Sequence, residues 1–214
     1  MLTAMNKSIK NILLDLGGVI CDLDWEKMSQ SFKNLSPDNE SVNRKALELE
    51  LYIRFETGLI SEEEFIFSGK RLLGSHVSEQ QFIEAWNSIL SKIPSSRIEL
   101  LKKLGTRYNL FLLSNTNVIH HRYIDEEILY KLGHDKLESF FQKIFMSYEI
   151  KIRKPDLECF HHVVNTLDLP AKEILFIDDD EKNTKTAIEA GMQSHFLDLN
   201  KEKLENAVFR LGLL

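Results

Sequence analysis

Four polar groups in this chain carry side chains that could act together on a substrate. Asp15 follows the apolar run 12–14. Ser114 and Asn115 follow the run 109–113. Lys154 stands just before Pro155, and Asp178, Asp179 and Asp180 follow the run 174–177. Carboxylates from two places suit Mg²⁺, which takes oxygen ligands and keeps several waters. Brought together without a cation they would repel one another. A lysine adds a fixed positive charge, and Ser114 and Asn115 add short hydrogen-bond donors. A divalent ion, a lysine and short donors make a phosphate site. A carboxylate there can also attack phosphorus and split one hard hydrolysis into two easier steps.

Taken singly, each group has an ordinary reading. An aspartate after a strand caps a turn or helix, an aspartate run is a solvated turn, Ser-Asn is a turn pair, and a lysine before proline is a surface charge. Their placement argues otherwise. Residues 9–14, 109–113, 143–146, 174–177 and 194–197 are short, continuously apolar runs, the pattern of strands buried on both faces of a parallel sheet. Helical spacing separates them at 96–104, at 155–167 with proline at N1, at 184–190, and in a terminal stripe of Leu204, Val208 and Leu211. Alternating strands and helices predict a doubly wound α/β core. In such sheets ligands bind beyond the carboxyl ends of the strands, where these polar groups fall.

Residues 22–94 differ in character and show no buried-strand run. Ser36-Pro37 fits an N-cap and N1 pair. Leu47, Leu51 and Phe55 recur every four residues beside Tyr52, and Thr57-Gly58 ends that helix. Ser61 and Glu64 form a capping box, and Phe82, Trp86, Ile89, Leu90 and Ile93 mark a further helix stopped at Pro94. The expected organisation is an α/β core at 1–21 and 95–214 with an all-helical insert at 22–94. Trp25, Phe55 and Trp86 are expected mainly in the core, with a place lining a pocket between the insert and the core as the alternative.

Composition narrows the function. The 214 residues carry 27 Lys and Arg against 33 Asp and Glu, a formal charge of −6, so there is no general field for nucleic acid or anionic lipid. The two cysteines, Cys21 and Cys159, make no disulfide framework, and Cys21 has no activating neighbour in sequence. Residues 1–10 lack the apolar core of a signal peptide, and no run approaches a membrane span. A cytoplasmic location is expected, and Asn34 and Asn39 match the glycosylation pattern only by chance. His120-His121 and His161-His162 are tandem pairs whose rings point about 100° apart on a helix, a poor arrangement for a zinc site. Gly17-Gly18 is not the dinucleotide fingerprint.

These residues together resemble the haloacid dehalogenase-like (HAD) superfamily. The family's D-x-D motif, which follows a strand, is similar to Asp15-Leu16-Gly17. The motif with Ser or Thr at a strand end is similar to Leu113-Ser114-Asn115. The lysine motif is similar to Arg153-Lys154-Pro155, and the acidic strand-end motif to Ile177-Asp178-Asp179-Asp180 with Asn183 following. The resemblance covers essentially the whole chain. It implies a HAD-like Rossmannoid core with a parallel sheet, and an inserted helical cap of the C1 kind. It further implies Asp15 as nucleophile and Mg²⁺ held by Asp15, the Gly17 carbonyl and Asp179. Ser114, Asn115 and Lys154 would bind phosphate, and Asp178 and Asn183 would support the metal. The family's other D-x-D aspartate, which protonates the leaving oxygen, is Gly17 here, as in small phosphatases similar to the glucose 1-phosphate phosphatase type. The expected activity is Mg²⁺-dependent hydrolysis of a small phosphorylated metabolite, such as a sugar phosphate, through an aspartyl phosphate, with no nucleic-acid or membrane partner. A metal-independent 2-haloacid dehalogenase and a non-catalytic binding protein of the same fold are the alternatives.

Overall fold

The computed structural model describes residues 9–35, 42–74 and 76–214. Five strands form one parallel sheet: β1 (Asn11–Leu14), β4 (Asn109–Ser114), β5 (Lys143–Met146), β6 (Ile174–Asp178) and β7 (Gln193–Phe196). Their order is β5-β4-β1-β6-β7, so the chain winds outward from β1 on one side and then returns to the other. Leu14 lies level with Leu112 on β4 and with Ile177 on β6. Asp15, Ser114 and Asp178 therefore end three adjacent strands, at the switch point where doubly wound sheets bind ligands.

The continuous apolar runs are explained by burial on both faces. Ile12, Leu14, Leu112 and Ile177 pack into one hydrophobic cluster, and the alternate residues Leu13, Phe111, Leu113 and Phe176 pack into another. Period-two alternation is present, but both phases are apolar because helices cover both sides. The core helices are α5 (Ser95–Gly105), α6 (Val118–Tyr123), α7 (Ser147–Ile150), α8 (Leu157–Leu167), α9 (Glu181–Glu189) and α10 (Leu204–Arg210). A π-helical turn, Ile124–Leu129, extends α6, and a 3-10 turn, Leu137–Phe140, precedes β5. Leu204 and Val208 of the terminal stripe are buried.

Between β1 and β4 lie α1 (Trp25–Leu35), α2 (Val42–Glu56), α3 (Glu62–Leu73) and α4 (Glu79–Asn87). Phe55, Phe65, Phe82 and Trp86 join them in a third cluster that also takes in Ile119 of α6. The capping box at Ser61 and Glu64 is present, with its two bonds at 2.9 and 3.1 Å. At Gly58, φ is +61° and a Cβ would meet the Tyr148 carbonyl oxygen at 2.1 Å, so glycine ends α2 and lets the turn close on α7.

Three expectations need correction. The segment 22–94 is not wholly helical, because β2 (Asp22–Leu23) and β3 (Leu90–Lys92) pair antiparallel at its two ends. Strands that short leave no periodic signal. Pro155 is not the first residue of α8, since Asp156 holds the N-cap position and the helix begins at Leu157. Trp25 is 59% exposed and is not a core residue, whereas Phe55 and Trp86 are buried. The Ser36-Pro37 cap and the side chain of Leu47 lie outside the described residues. Among the described residues no helix is long and apolar enough to cross a membrane.

Candidate active site

Lys154 is 2% exposed, and its ammonium lies between two carboxylates. Nζ donates to Asp15 Oδ1 and to Asp178 Oδ2, each at 2.6 Å. Asp178 is wholly enclosed. Its carboxylate also accepts from the Asp180 amide at 2.7 Å and from Asn183 Nδ2 at 3.0 and 3.1 Å. A carboxylate so fully engaged is fixed in place and orients the lysine. Asp179, the next residue, is half-buried beside the loop after β1. A Cβ on Gly18 would meet its Oδ2 at 2.3 Å, so the glycine lets that loop approach the carboxylate.

Carboxylate oxygens of Asp15, Asp178 and Asp179 lie within 4.8 Å of one another. Among the described residues three carboxylates share this space with one close ammonium, so the cluster is short of positive charge. Burial, followed by the Asp178 and Asp179 carboxylates, pushes Asp15 from 3.8 up to about 7, against the opposing pull of Lys154. Burial and then Asp178 raise Asp179 to about 6. Burial alone would lower Lys154, but Asp15 and Asp178 outweigh it and hold the amine above its ordinary range. Lys154 is therefore a permanent cation, and the carboxylates carry the strain of the uncompensated charge. Opposite ligands on an octahedral Mg²⁺ are about 4 Å apart, so this oxygen set fits such an ion.

Ser114 is buried at the end of β4 and lines the same cleft. Asn115, expected at the phosphate, has its side chain engaged with the Lys154 backbone. Its Nδ2 donates to the Lys154 carbonyl at 2.8 Å, and its Oδ1 accepts from the Lys154 amide at 2.9 Å. Both ends of the amide are thus committed to holding the lysine backbone. Gly17 sits in the loop with no positive φ, and a Cβ there would meet the Leu23 side chain first, its Cδ1 at 2.9 Å.

The cleft above these groups has a volume of about 1560 Å³ and is walled on its far side by Tyr52, Phe65 and Trp86 of the helical segment. Sequence reasoning missed Glu56 and gave no role to Arg153. Glu56, the last residue of α2, is 2% exposed and lies 3.2 Å from Arg153, the neighbour of Lys154. Burial raises its carboxyl above the ordinary range, against a hydrogen bond from Tyr52 and the Arg153 charge. The one signal available was the acidic residue just before Thr57-Gly58, at the end of an apolar helix face. Cys21 is buried, and burial pushes its thiol up to about 12.

His120 joins the helical segment to the core. Its ring stacks on Trp86 at 4.9 Å between centroids, and its Nε2 donates to the Trp86 carbonyl at 3.1 Å. Asn117, the N-cap of α6, accepts from the His120 amide at 3.0 Å and from Trp86 Nε1 at 3.4 Å. Burial lowers the imidazole to about 4, so it is neutral at physiological pH.

A doubly wound sheet with carboxylates, a lysine and a serine converging at its carboxyl edge, covered by an inserted helical segment, defines a class of α/β enzyme. The chain belongs to the haloacid dehalogenase-like hydrolase family, whose pattern it matches over residues 9–191. It is 27% identical over 187 residues to the D-ribitol-5-phosphate phosphatase of Bacteroides thetaiotaomicron, spanning 87% of this chain and 90% of that one. A HAD family enzyme of the same organism, solved with magnesium and inorganic phosphate, superposes with a TM-score of 0.83 at 36% identity. That match covers 91% of this chain and 96% of the other. A HAD-like hydrolase of Porphyromonas gingivalis gives a TM-score of 0.84 at 30% identity, covering 95% and 98%.

Proposed function

We propose that this hydrolase is a Mg²⁺-dependent phosphatase of small phosphorylated metabolites, with polyol and sugar phosphates as the favoured class. The observation that carries this reading is the cluster of Asp15, Asp178 and Asp179, with the buried Lys154 paired to the first two. Asp15, Asp179 and the Gly17 carbonyl would hold the ion, which when bound neutralises charge on the carboxylates and the phosphoryl oxygens. The relative named for D-ribitol-5-phosphate supports the substrate class, and the relative solved with magnesium and phosphate supports the cofactor.

An Asp15 carboxylate oxygen attacks phosphorus. The ester P–O bond breaks, the alcohol leaves with a proton, and an aspartyl phosphate remains. Water then attacks that phosphorus, releasing inorganic phosphate and restoring Asp15. Lys154 and Ser114 bind the transferring phosphoryl group, and preorganised donors of this kind stabilise the charge that develops there. Asn115 and Asp178 hold Lys154 in position. The helical segment, residues 22–94 with its short strands at either end, acts as the cap that excludes water and meets the leaving group. Gly17 brings no carboxyl to protonate the leaving oxygen. Glu56, whose burial favours the protonated form, supplies that proton from the cap side.

The test is a panel of sugar and polyol phosphates, with p-nitrophenyl phosphate as an aryl control, assayed with and without Mg²⁺. Turnover that requires Mg²⁺ and vanishes in Asp15→Asn is expected. Halide release from 2-haloacids without metal, or phosphate binding with no turnover, would overturn the reading.

A further inference from the structure

A separate cluster lies on the core, and none of its three residues lines the cleft. His121 on α6 and Asp125 in the π-helical turn are four residues apart, which puts them on one face. Glu138 comes to them from the 3-10 turn Leu137–Phe140. His121 Nε2 is 3.7 Å from Asp125 Oδ2 and 3.5 Å from Glu138 Oε1, and all three ligand atoms lie within 4.8 Å of one another.

Two features bear on what this cluster could hold. His121 is 9% exposed, and its Nε2 is buried and makes no hydrogen bond. Separations of 3.5 and 3.7 Å are too long for one. They are close to the edge of a tetrahedron of ligands around Zn²⁺, about 3.4 Å for bonds near 2.1 Å. The tautomer also fits. In the tautomer that a metal ion selects, Tyr148 donates its hydroxyl proton to Glu149 Oε1 at 3.2 Å and its oxygen accepts from His121 Nδ1–H at 2.9 Å. That leaves the Nε2 lone pair aimed at the two carboxylates. A ligating imidazole commonly has its other nitrogen anchored in this way. Asp125 is held as well, its Oδ1 accepting from the Leu137 amide at 2.9 Å. The Glu138 side chain is 48% exposed, which gives an ion a path from solvent.

We propose that His121, Asp125 and Glu138 bind a transition-metal dication of the Zn²⁺ type, with a fourth position open to water. Such an ion ties the end of α6 to the turn that precedes β5. The tandem histidines do not chelate together, because His120 turns inward to Trp86 while His121 faces the carboxylates. An imidazole ligand favours Zn²⁺ over Mg²⁺, so this site and the aspartate cluster select different ions.

The experiment is calorimetric titration of Zn²⁺ into the full chain carrying Asp179→Asn, repeated in a large excess of Mg²⁺. One equivalent of Zn²⁺ should bind in both conditions. Co²⁺ should give the intense visible absorption of a four-coordinate site. Adding Glu138→Gln, at a half-exposed position that the fold tolerates, should weaken Zn²⁺ at least tenfold. Asp125→Asn, which keeps the Oδ1 acceptor for the Leu137 amide, should do the same. Absence of Zn²⁺ binding, displacement by Mg²⁺, or binding unchanged by both substitutions would overturn the proposal and leave a charge network only.

Discussion

At the scale of single residues, chemical type did not settle role, and the distinction can be measured. Asn115 stands where a phosphate ligand was expected, yet both ends of its side chain hold the backbone of Lys154. Asn115→Ala should therefore lower kcat by roughly ten- to a hundredfold, because a displaced lysine loses its alignment. Inhibition by inorganic phosphate should change by only a fewfold. A large loss of phosphate affinity with kcat unchanged would make it a direct ligand instead. Gly17 poses the opposite question, that of a missing group. Its backbone accepts a side chain, and the nearest obstacle is the flexible tip of Leu23. Gly17→Asp should raise kcat on alkyl phosphates by tenfold or more, within the about 10²–10⁴ that acid–base catalysis supplies. Glu56→Gln should slow the same alkyl phosphates while sparing p-nitrophenyl phosphate, whose leaving group needs no proton. Equal slowing of both substrates would remove the carboxyl from proton transfer. The positions of Asp15, Ser114 and Asp178 were legible because each ends or follows a strand, whereas Lys154 lies beyond both β5 and α7. Glu56 was not, because its site lies across a fold contact with Arg153, 97 positions away by subtraction of the residue numbers.

At the scale of elements, the sheet was legible and the joints were not. Strands buried on both faces leave continuous apolar runs, and the runs at 109–113 and 174–177 fall within β4 and β6. Two-residue pairing at β2 and the π-helical turn leave no such trace, since one is too short for a period and the other depends on how α6 packs. The contact between α4 and α6 is a joint of this kind. Trp86 lies over His120, and Asn117 bonds to both. His120→Ala removes a buried, stacked ring and takes the imidazole partner from the Trp86 carbonyl and from Asn117 Nδ2. Such a change costs about 2–4 kcal/mol. Denaturant unfolding should show that loss, together with a raised KM for metabolite substrates, because the helices facing the cleft lose their anchor. A loss below about 1 kcal/mol would mean that the aromatic cluster holds the segment without the histidine.

At the scale of the whole molecule, the aspartate cluster ties folding stability to pH and to metal. Asp15 rises from 3.8 to about 7 on folding and Asp179 to about 6, so these two carboxylates bind more protons in the folded chain than in the unfolded chain between about pH 4 and pH 7, while His120, lowered from 6.5 to about 4, acts in the opposite sense. Stability contributed by these two groups is complete below their unfolded values. It declines as pH climbs and is gone above the folded ones. Without divalent ions, the melting temperature of Asp179→Asn relative to wild type should therefore rise as pH climbs from about 5 to about 8, a comparison in which the opposing His120 contribution cancels. Mg²⁺ competes with those protons for the same oxygens. It should raise the melting temperature strongly at about pH 8 and little at about pH 5, since a ligand that binds only the folded form stabilises it in proportion to its occupancy. Parallel pH slopes for wild type and Asp179→Asn would place the proton uptake elsewhere in the chain. A Mg²⁺ effect of equal size at both pH values would separate metal binding from these carboxylates. The same negative charge that makes the empty cluster costly at neutral pH is what draws a dication to it, so stability and catalytic competence should rise together along one Mg²⁺ titration.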